Sequence, residues 1–144
     1  MTINPRTARS VRDMRSKLRD LAAAEHGEAS ARTATAAAHV AHHEQALEDT
    51  LDEAEDTLTG ITNVYALDDV AGMVASQRHA ISEAAAAHAQ AHELATHAEV
   101  RLRSRIRQLK TAERVVEMVN DHREQREARA EQGAHDDLVN ARRR

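Results

Sequence analysis

Histidine is the residue whose type and spacing first suggest chemistry in this chain. There are ten. His39 and His43 lie four residues apart, as do His88 and His92. On a helix that spacing stacks two imidazoles on one face, where they can chelate a transition metal. If the turn between the two pairs centres near Leu67, they fall at about the same height on facing helices, as bundle metal sites require. No Glu-x-x-His motif accompanies them. The expectation is therefore that some of these histidines form polar layers in a thin helix seam while others are solvated, and no metal is assigned. Protonation near pH 6 would add charge beside that seam and loosen it.

Other chemistry has less support. The chain has no Cys, which removes thiolate metal sites, a disulfide framework and a Cys nucleophile. Ser and Thr are scattered, and no Gly-rich elbow or phosphate loop is present. Asp136 and Asp137 read as a solvated pair. The run Arg101–Lys110 resembles a basic DNA-reading region, but Leu102, Ile106 and Leu109 within it belong to a seam. A formal net charge of -4 argues against general affinity for nucleic acid. No catalytic residue and no cofactor are expected.

The elements that would position these residues follow from composition. The 144 residues include one Tyr, no Trp, no Phe, one Pro and four Gly. Aromatic residues are 1% of the chain, so it lacks the material for a compact sandwich or barrel, and it lacks the breakers such folds need. Abundant Ala, Glu, Arg and Leu instead favour long helices. No apolar run approaches the ~20 residues a membrane span needs. The charged opening reads as no secretory signal.

Apolar and small residues recur at three- and four-residue steps from about Arg9 to Gly60. The expected seam runs through Val11, Met14, Leu18, Ala22, Ala29, Thr33, Ala36, Val40, Leu47, Leu51, Ala54, Leu58 and Ile61. Leu18, Ala29 and Val40 sit eleven apart, which suggests a locally hendecad path. Gly60, Asn63 and Gly72 then break the pattern, and Asp68 and Asp69 suit a helix N-cap. A second run passes through Val74, Gln77, Ile81, Ala84, His88, Ala91, Ala95, Ala98, Leu102, Ile106, Leu109, Val116 and Val119. The expected fold is all-α, a long antiparallel two-helix coiled-coil hairpin in a single domain. Helix 1 spans about 9–60, the turn about 61–69, helix 2 about 70–132, and a frayed tail 133–144. Each arm would be on the order of 80 Å long. Charge is uneven: Arg6, Arg9, Arg12, Arg15, Lys17 and Arg19 open the first helix, while its far end carries Glu44, Glu48, Asp49, Asp52, Glu53, Glu55 and Asp56. Ends of opposite charge would meet different partners.

One stretch gives these features a family context. Arg123-Glu124-Gln125-Arg126-Glu127-Ala128-Arg129-Ala130-Glu131-Gln132-Gly133-Ala134-His135-Asp136-Asp137-Leu138 is similar to the tail of the flagellar export protein FliJ and the YscO-type stalks of injectisomes. Members of that family often end in R-x-E-E-x-R-x-E-Q-K-x-L-D-E-L followed by basic residues. Glu131, Gln132, Asp136, Asp137 and Leu138 match, while Gly133 and His135 replace the usual Lys and Leu. Val11-Arg12-Asp13-Met14-Arg15-Ser16-Lys17-Leu18-Arg19 is similar to the family's basic first turns.

The resemblance implies a non-enzymatic stalk of a flagellar or type III export apparatus. It would insert in the hexameric export ATPase, couple it to the cytoplasmic domain of the export gate, and handle export chaperones. Its implied location is cytoplasmic and peripheral to the inner membrane, and the free protein would be a monomer. By this analogy Val11, Arg12, Arg15, Leu18, Arg123, Arg126, Glu131, Gln132, Asp136, Asp137 and Leu138 would meet the ATPase. Tyr65, Leu67, Val70 and Met73 would meet the gate, against the alternative that they pack the turn. The competing readings are a generic coiled-coil adaptor, a secreted helical-hairpin protein, and a metal-responsive bundle.

Overall fold

A computed structural model describes the backbone over residues 4–59 and 64–141, and the side chains over 4–56, 59 and 65–135. Two helices account for almost all of it: α1, Pro5–Leu58, and α2, Val64–Ala141. They pack together as an antiparallel hairpin, and the described residues contain no strand.

The start of α1 has a local cause. Asn4 Oδ1 accepts a hydrogen bond from the Arg6 amide at 2.9 Å, and the Asn4 carbonyl accepts from the Ala8 amide at 3.0 Å. Asn4 is therefore an N-cap, and Pro5 takes the first helical position, where its missing N–H costs nothing. This extends the helix four residues ahead of Arg9. At the other end, Thr59 bonds back to the Glu55 and Asp56 carbonyls. Neither helix has acids in its first turn or bases in its last, so neither macrodipole is complemented by charge.

α2 begins at Val64, inside the stretch expected to be turn. Asp68 and Asp69 lie in its second turn and are not caps. Of the expected turn, 61–63 lies outside the described residues. α2 also continues through Gly133 to Ala141, where fraying was expected. Gly133 and Gly27 both sit in helix with no positive φ among the described residues. A single Gly lowers helix stability by about 1 kcal/mol, which uninterrupted flanking turns of Ala, Glu and Arg can absorb.

The chain divides into two compact units, to which both helices contribute. Unit 1 comprises Met1–Ala23 with Arg101–Arg144, and unit 2 comprises Ala24–Val100. In unit 2 the seam of α1 follows the less exposed positions His26, Ala29, Thr33, Ala36, Val40, His43, Leu47, Thr50 and Ala54, with Ala46 half-buried beside it. That of α2 follows Val70, Val74, Gln77, Ile81, Ala84, His88, Ala91, Ala95 and Ala98, with Ala66, Ala80 and Glu99 half-buried beside it. Both sets alternate steps of three and four, the heptad rhythm of a left-handed seam, so no hendecad path is needed. Leu51, expected in this seam, is 47% exposed, and Thr50 takes its place. Thr can do so because its hydroxyl is satisfied within the helix: Thr50 Oγ1 donates to the Ala46 carbonyl and Thr33 Oγ1 to the Ala29 carbonyl.

In unit 1 the α2 seam passes through Leu102, Arg105, Leu109, Ala112, Val116 and Val119, largely as the spacing predicts. The α1 seam does not. Running back from Ala22, the rhythm lands on Arg19, Arg15, Arg12 and Ala8. Val11 and Met14 fall outside it, 39% and 51% exposed. The apolar residues Val11, Met14, Leu18 and Leu21 share their own three-four rhythm, one residue out of step with the seam. One residue is about 100° around a helix, so this stripe lies on a flank.

The core is correspondingly thin. Among the described residues the buried ones are Ala8, Ala22, Ala54, Ala98, Leu109 and Val116. Four of the six are Ala, which allows close helix approach but removes little apolar area from water.

Candidate partner-binding surfaces

Unit 1 holds most of the positive charge. Its sequence carries eighteen Lys and Arg against ten Asp and Glu, a net +8. Unit 2 carries two against fourteen, a net -12. Eight of the ten His also belong to unit 2.

Four arginines at seam positions in unit 1, three on α1 and Arg105 on α2, each find an oxygen. The Arg15 guanidinium donates to Gln108 Oε1 across the helix pair, and Arg105 donates to the same oxygen at 3.1 Å. Arg12 turns outward to Asp13 at 2.6 Å, and Arg19 to Asp20. Each keeps its aliphatic stem near the seam; the Arg12 head reaches outward, the Arg15 head stays within the helix pair on Gln108, and Arg19 reaches Asp20 with its terminal nitrogen while its Nε is buried without a partner. Arg12 and Arg15 were singled out as partner contacts; the structure gives both a role in the helix pair. Leu18 is half-buried, and Val11 is exposed on the flank stripe.

The tail residues are not brought to that cluster. Thr7, Ala8 and Val11 of α1 share a groove with Ala112 and Val115 of α2. α1 starts at Pro5, so α2 outruns it. Every described side chain from Asp121 to His135 is exposed, Arg123, Arg126, Glu131 and Gln132 among them. Arg123 Nε reaches Glu127 at 3.1 Å along the helix. Asp136, Asp137 and Leu138 lie on α2 with side chains outside the described set.

In unit 2, Tyr65 is 80% exposed, Leu67 and Met73 are also exposed, and Val70 is a half-buried seam residue. These four do not form one patch. Six residues separate Leu67 from Met73, which turns them roughly 120° apart around α2, on opposite sides of Val70.

The two histidine pairs do not face each other. Because the crossover lies between Leu58 and Val64, earlier than a turn centred near Leu67, the register of the facing helices shifts. His39 and His43 lie beside Ala80, Glu83, Ala84 and Ala87. His92 instead shares a groove with His26, Ser30 and Thr33. The rings of His88 and His92 are 6.4 Å apart on their own helix. Among the described residues no group of three or more His, Cys, Asp or Glu could hold a metal ion. Two outer histidines face carboxylates one turn away, His79 with Glu83 at 3.4 Å and His97 with Glu93 at 3.8 Å. Among the described residues no helix is long and apolar enough to cross a membrane.

Fold and charge together define a helical-hairpin protein whose two units carry net charges of opposite sign. No curated protein and no solved structure was found to match. The chain belongs to the flagellar FliJ family: a family model described as Flagellar FliJ protein matches residues 8–144. Its general role is that of a non-enzymatic stalk component of flagellar protein export.

Proposed function

We propose that this chain is the coiled-coil stalk that inserts in the hexameric export ATPase and couples it to the cytoplasmic domain of the export gate, with a role in handling export chaperones. The stalk works in the cytoplasm, peripheral to the inner membrane, and the free protein is a monomer. The observation that carries this reading is the family match over nearly the whole chain, joined to a hairpin fold. The opposite net charges of the two units support it, since they suit different partners.

The ATPase contact comprises Val11 and Leu18, the outward guanidinium of Arg12, and the exposed tail residues Arg123, Arg126, Glu131 and Gln132, with Asp136, Asp137 and Leu138. Arg15 supports the contact indirectly through Gln108. The gate contact draws on Tyr65, Leu67 and Met73, around Val70. The test is a reconstitution of the purified export ATPase with this chain. Stimulated ATP turnover and co-elution with the hexamer are expected. An ATPase that neither binds the chain nor changes its rate rejects the stalk reading and leaves a generic adaptor.

A further inference from the structure

We infer that unit 1 carries a docking groove for a third helix, an amphipathic one with acidic flanks supplied by a partner protein. The groove lies between α1 and α2. Its lining is small and largely apolar along Thr7, Ala8 and Val11 on one side and Thr111, Ala112 and Val115 on the other, and the hydrogen-bonded pair Arg15 and Gln108 also lines it. The hydroxyl of Thr111 is already satisfied by the Arg107 carbonyl, so the floor demands no polar partner there.

The rims extend this apolar surface. On α1 the flank stripe continues from Val11 through Met14, 51% exposed, to Leu21, 59% exposed. On α2, Met118 lies one turn beyond Val115 and is 69% exposed. A row of large exposed apolar side chains beside a small-residue trough presents what a helix face inserts into, read as i, i+3, i+7 anchors. Among the described residues there is no third helix to cover it.

Charge selects the occupant. Over 5–23 and 101–120 there are twelve Lys and Arg against four Asp and Glu. Arg6, Arg9 and Lys17 lie around Met14 with a single acid, Asp13, among them. Arg107 and Arg114 stand one turn to either side of Thr111 on α2. A bound helix therefore meets cations along both of its edges, and acidic flanks complement them. Concavity separates this occupant from an anionic membrane. A flat bilayer reaches the rim but not the trough, whereas a helix ridge fits it. Val11 belongs also to the ATPase contact proposed above, so the two readings share part of this face; the inference goes beyond the stalk reading because it rests on the shape and charge of the groove.

The test uses the full chain and a fluorescent peptide of about four heptads, with Leu and Ala on one face and Glu on both flanks. A matched peptide with Lys flanks and phosphatidylglycerol vesicles serve as comparisons. Saturable binding of the Glu peptide is expected, weakening as salt is raised. The double variant M14E/L21E places acids on the rim and should weaken binding about tenfold or more. Both residues are exposed, so its helical content by circular dichroism should match the parent. Equal binding by parent and variant, equal binding of the Lys peptide, or vesicle binding without peptide binding would each overturn the inference. None of these outcomes depends on the export ATPase, so failure here is separable from failure of the stalk reading.

Discussion

Arg15 of α1 and Gln108 of α2 are joined by a hydrogen bond that crosses the helix pair of unit 1, from a seam position of α1 that a heptad pattern would ordinarily give to an apolar side chain to the residue beside Leu109 on α2. Gln108 Oε1 also accepts from Arg105. One amide oxygen thus holds two cations close to a thin core. Replacing only Gln108 with Ala leaves both guanidinium groups without it. The expected cost is about 1 kcal/mol, read as a lower thermal midpoint by circular dichroism. The double change Arg15→Leu with Gln108→Leu should recover that loss or exceed it, because packed apolar pairs often outperform buried polar ones. A double variant less stable than Gln108→Ala would show that the polar bridge is the better solution.

Gly27 lies inside α1 with nothing within 4 Å of the position a Cβ would take. Gly27→Ala should therefore stabilise the protein by about 0.8–1 kcal/mol, through helix propensity alone. Urea unfolding monitored at 222 nm measures this. No change, or a loss, would mean that the glycine serves a contact the free chain does not reveal.

Each unit carries a large charge of one sign, +8 and -12 by sequence. Self-repulsion at low ionic strength should therefore weaken the fold. The Debye length falls from about 30 Å at 0.01 M to about 10 Å at 0.1 M, so adding sodium chloride over that range should raise the melting temperature. The exposed pairs Arg12–Asp13, Arg32–Glu28 and Arg123–Glu127 lose attraction at the same time, but such pairs contribute little. A melting temperature that falls with salt would show that the pairs outweigh the net repulsion.

Beyond Asn120, α2 has no packed face among its described side chains. An isolated helix of this length is marginal in water. Amides from Asp121 onward should exchange with solvent far faster than those around Leu109 and Val116, and trypsin should cut first at Arg123, Arg126 and Arg129. Deleting residues after Asn120 should change stability by no more than about 0.5 kcal/mol. Strong protection of the tail in the free protein would show that it folds back or pairs with another copy.

The sequence rhythm identified the α2 seam closely, from Val74 to Val119, because Val, Ile and Leu recur there among charged neighbours. It misled on α1. Two three-four rhythms coexist near its start, one apolar through Val11, Met14, Leu18 and Leu21, the other through Ala8, Arg12, Arg15, Arg19 and Ala22. Hydrophobicity alone selects the first. The structure selects the second, because the arginine stems can pack while their heads find Asp13, Gln108 and Asp20. The turn was placed late because Gly72 and the Asp68–Asp69 pair resemble punctuation, whereas Gly72 is accommodated inside α2. That displacement separated two histidine pairs that spacing had set face to face.

By itself the sequence determined the class of molecule: two long helices, no breaker-rich architecture, a thin Ala-lined core and a tail similar to that of a stalk family. Local propensity and composition act within a few turns, so they can be read without knowing what packs against what. Only the tertiary structure decided the register of the two helices, and with it which of two stripes on α1 became seam and which remained exposed. Register depends on where the chain crosses over and on whether polar side chains at the interface can reach partners, and both involve residues far apart in sequence. Arg15 and Gln108 meet for that reason, and Val11, Met14 and Leu21 remain open on the flank for the same one.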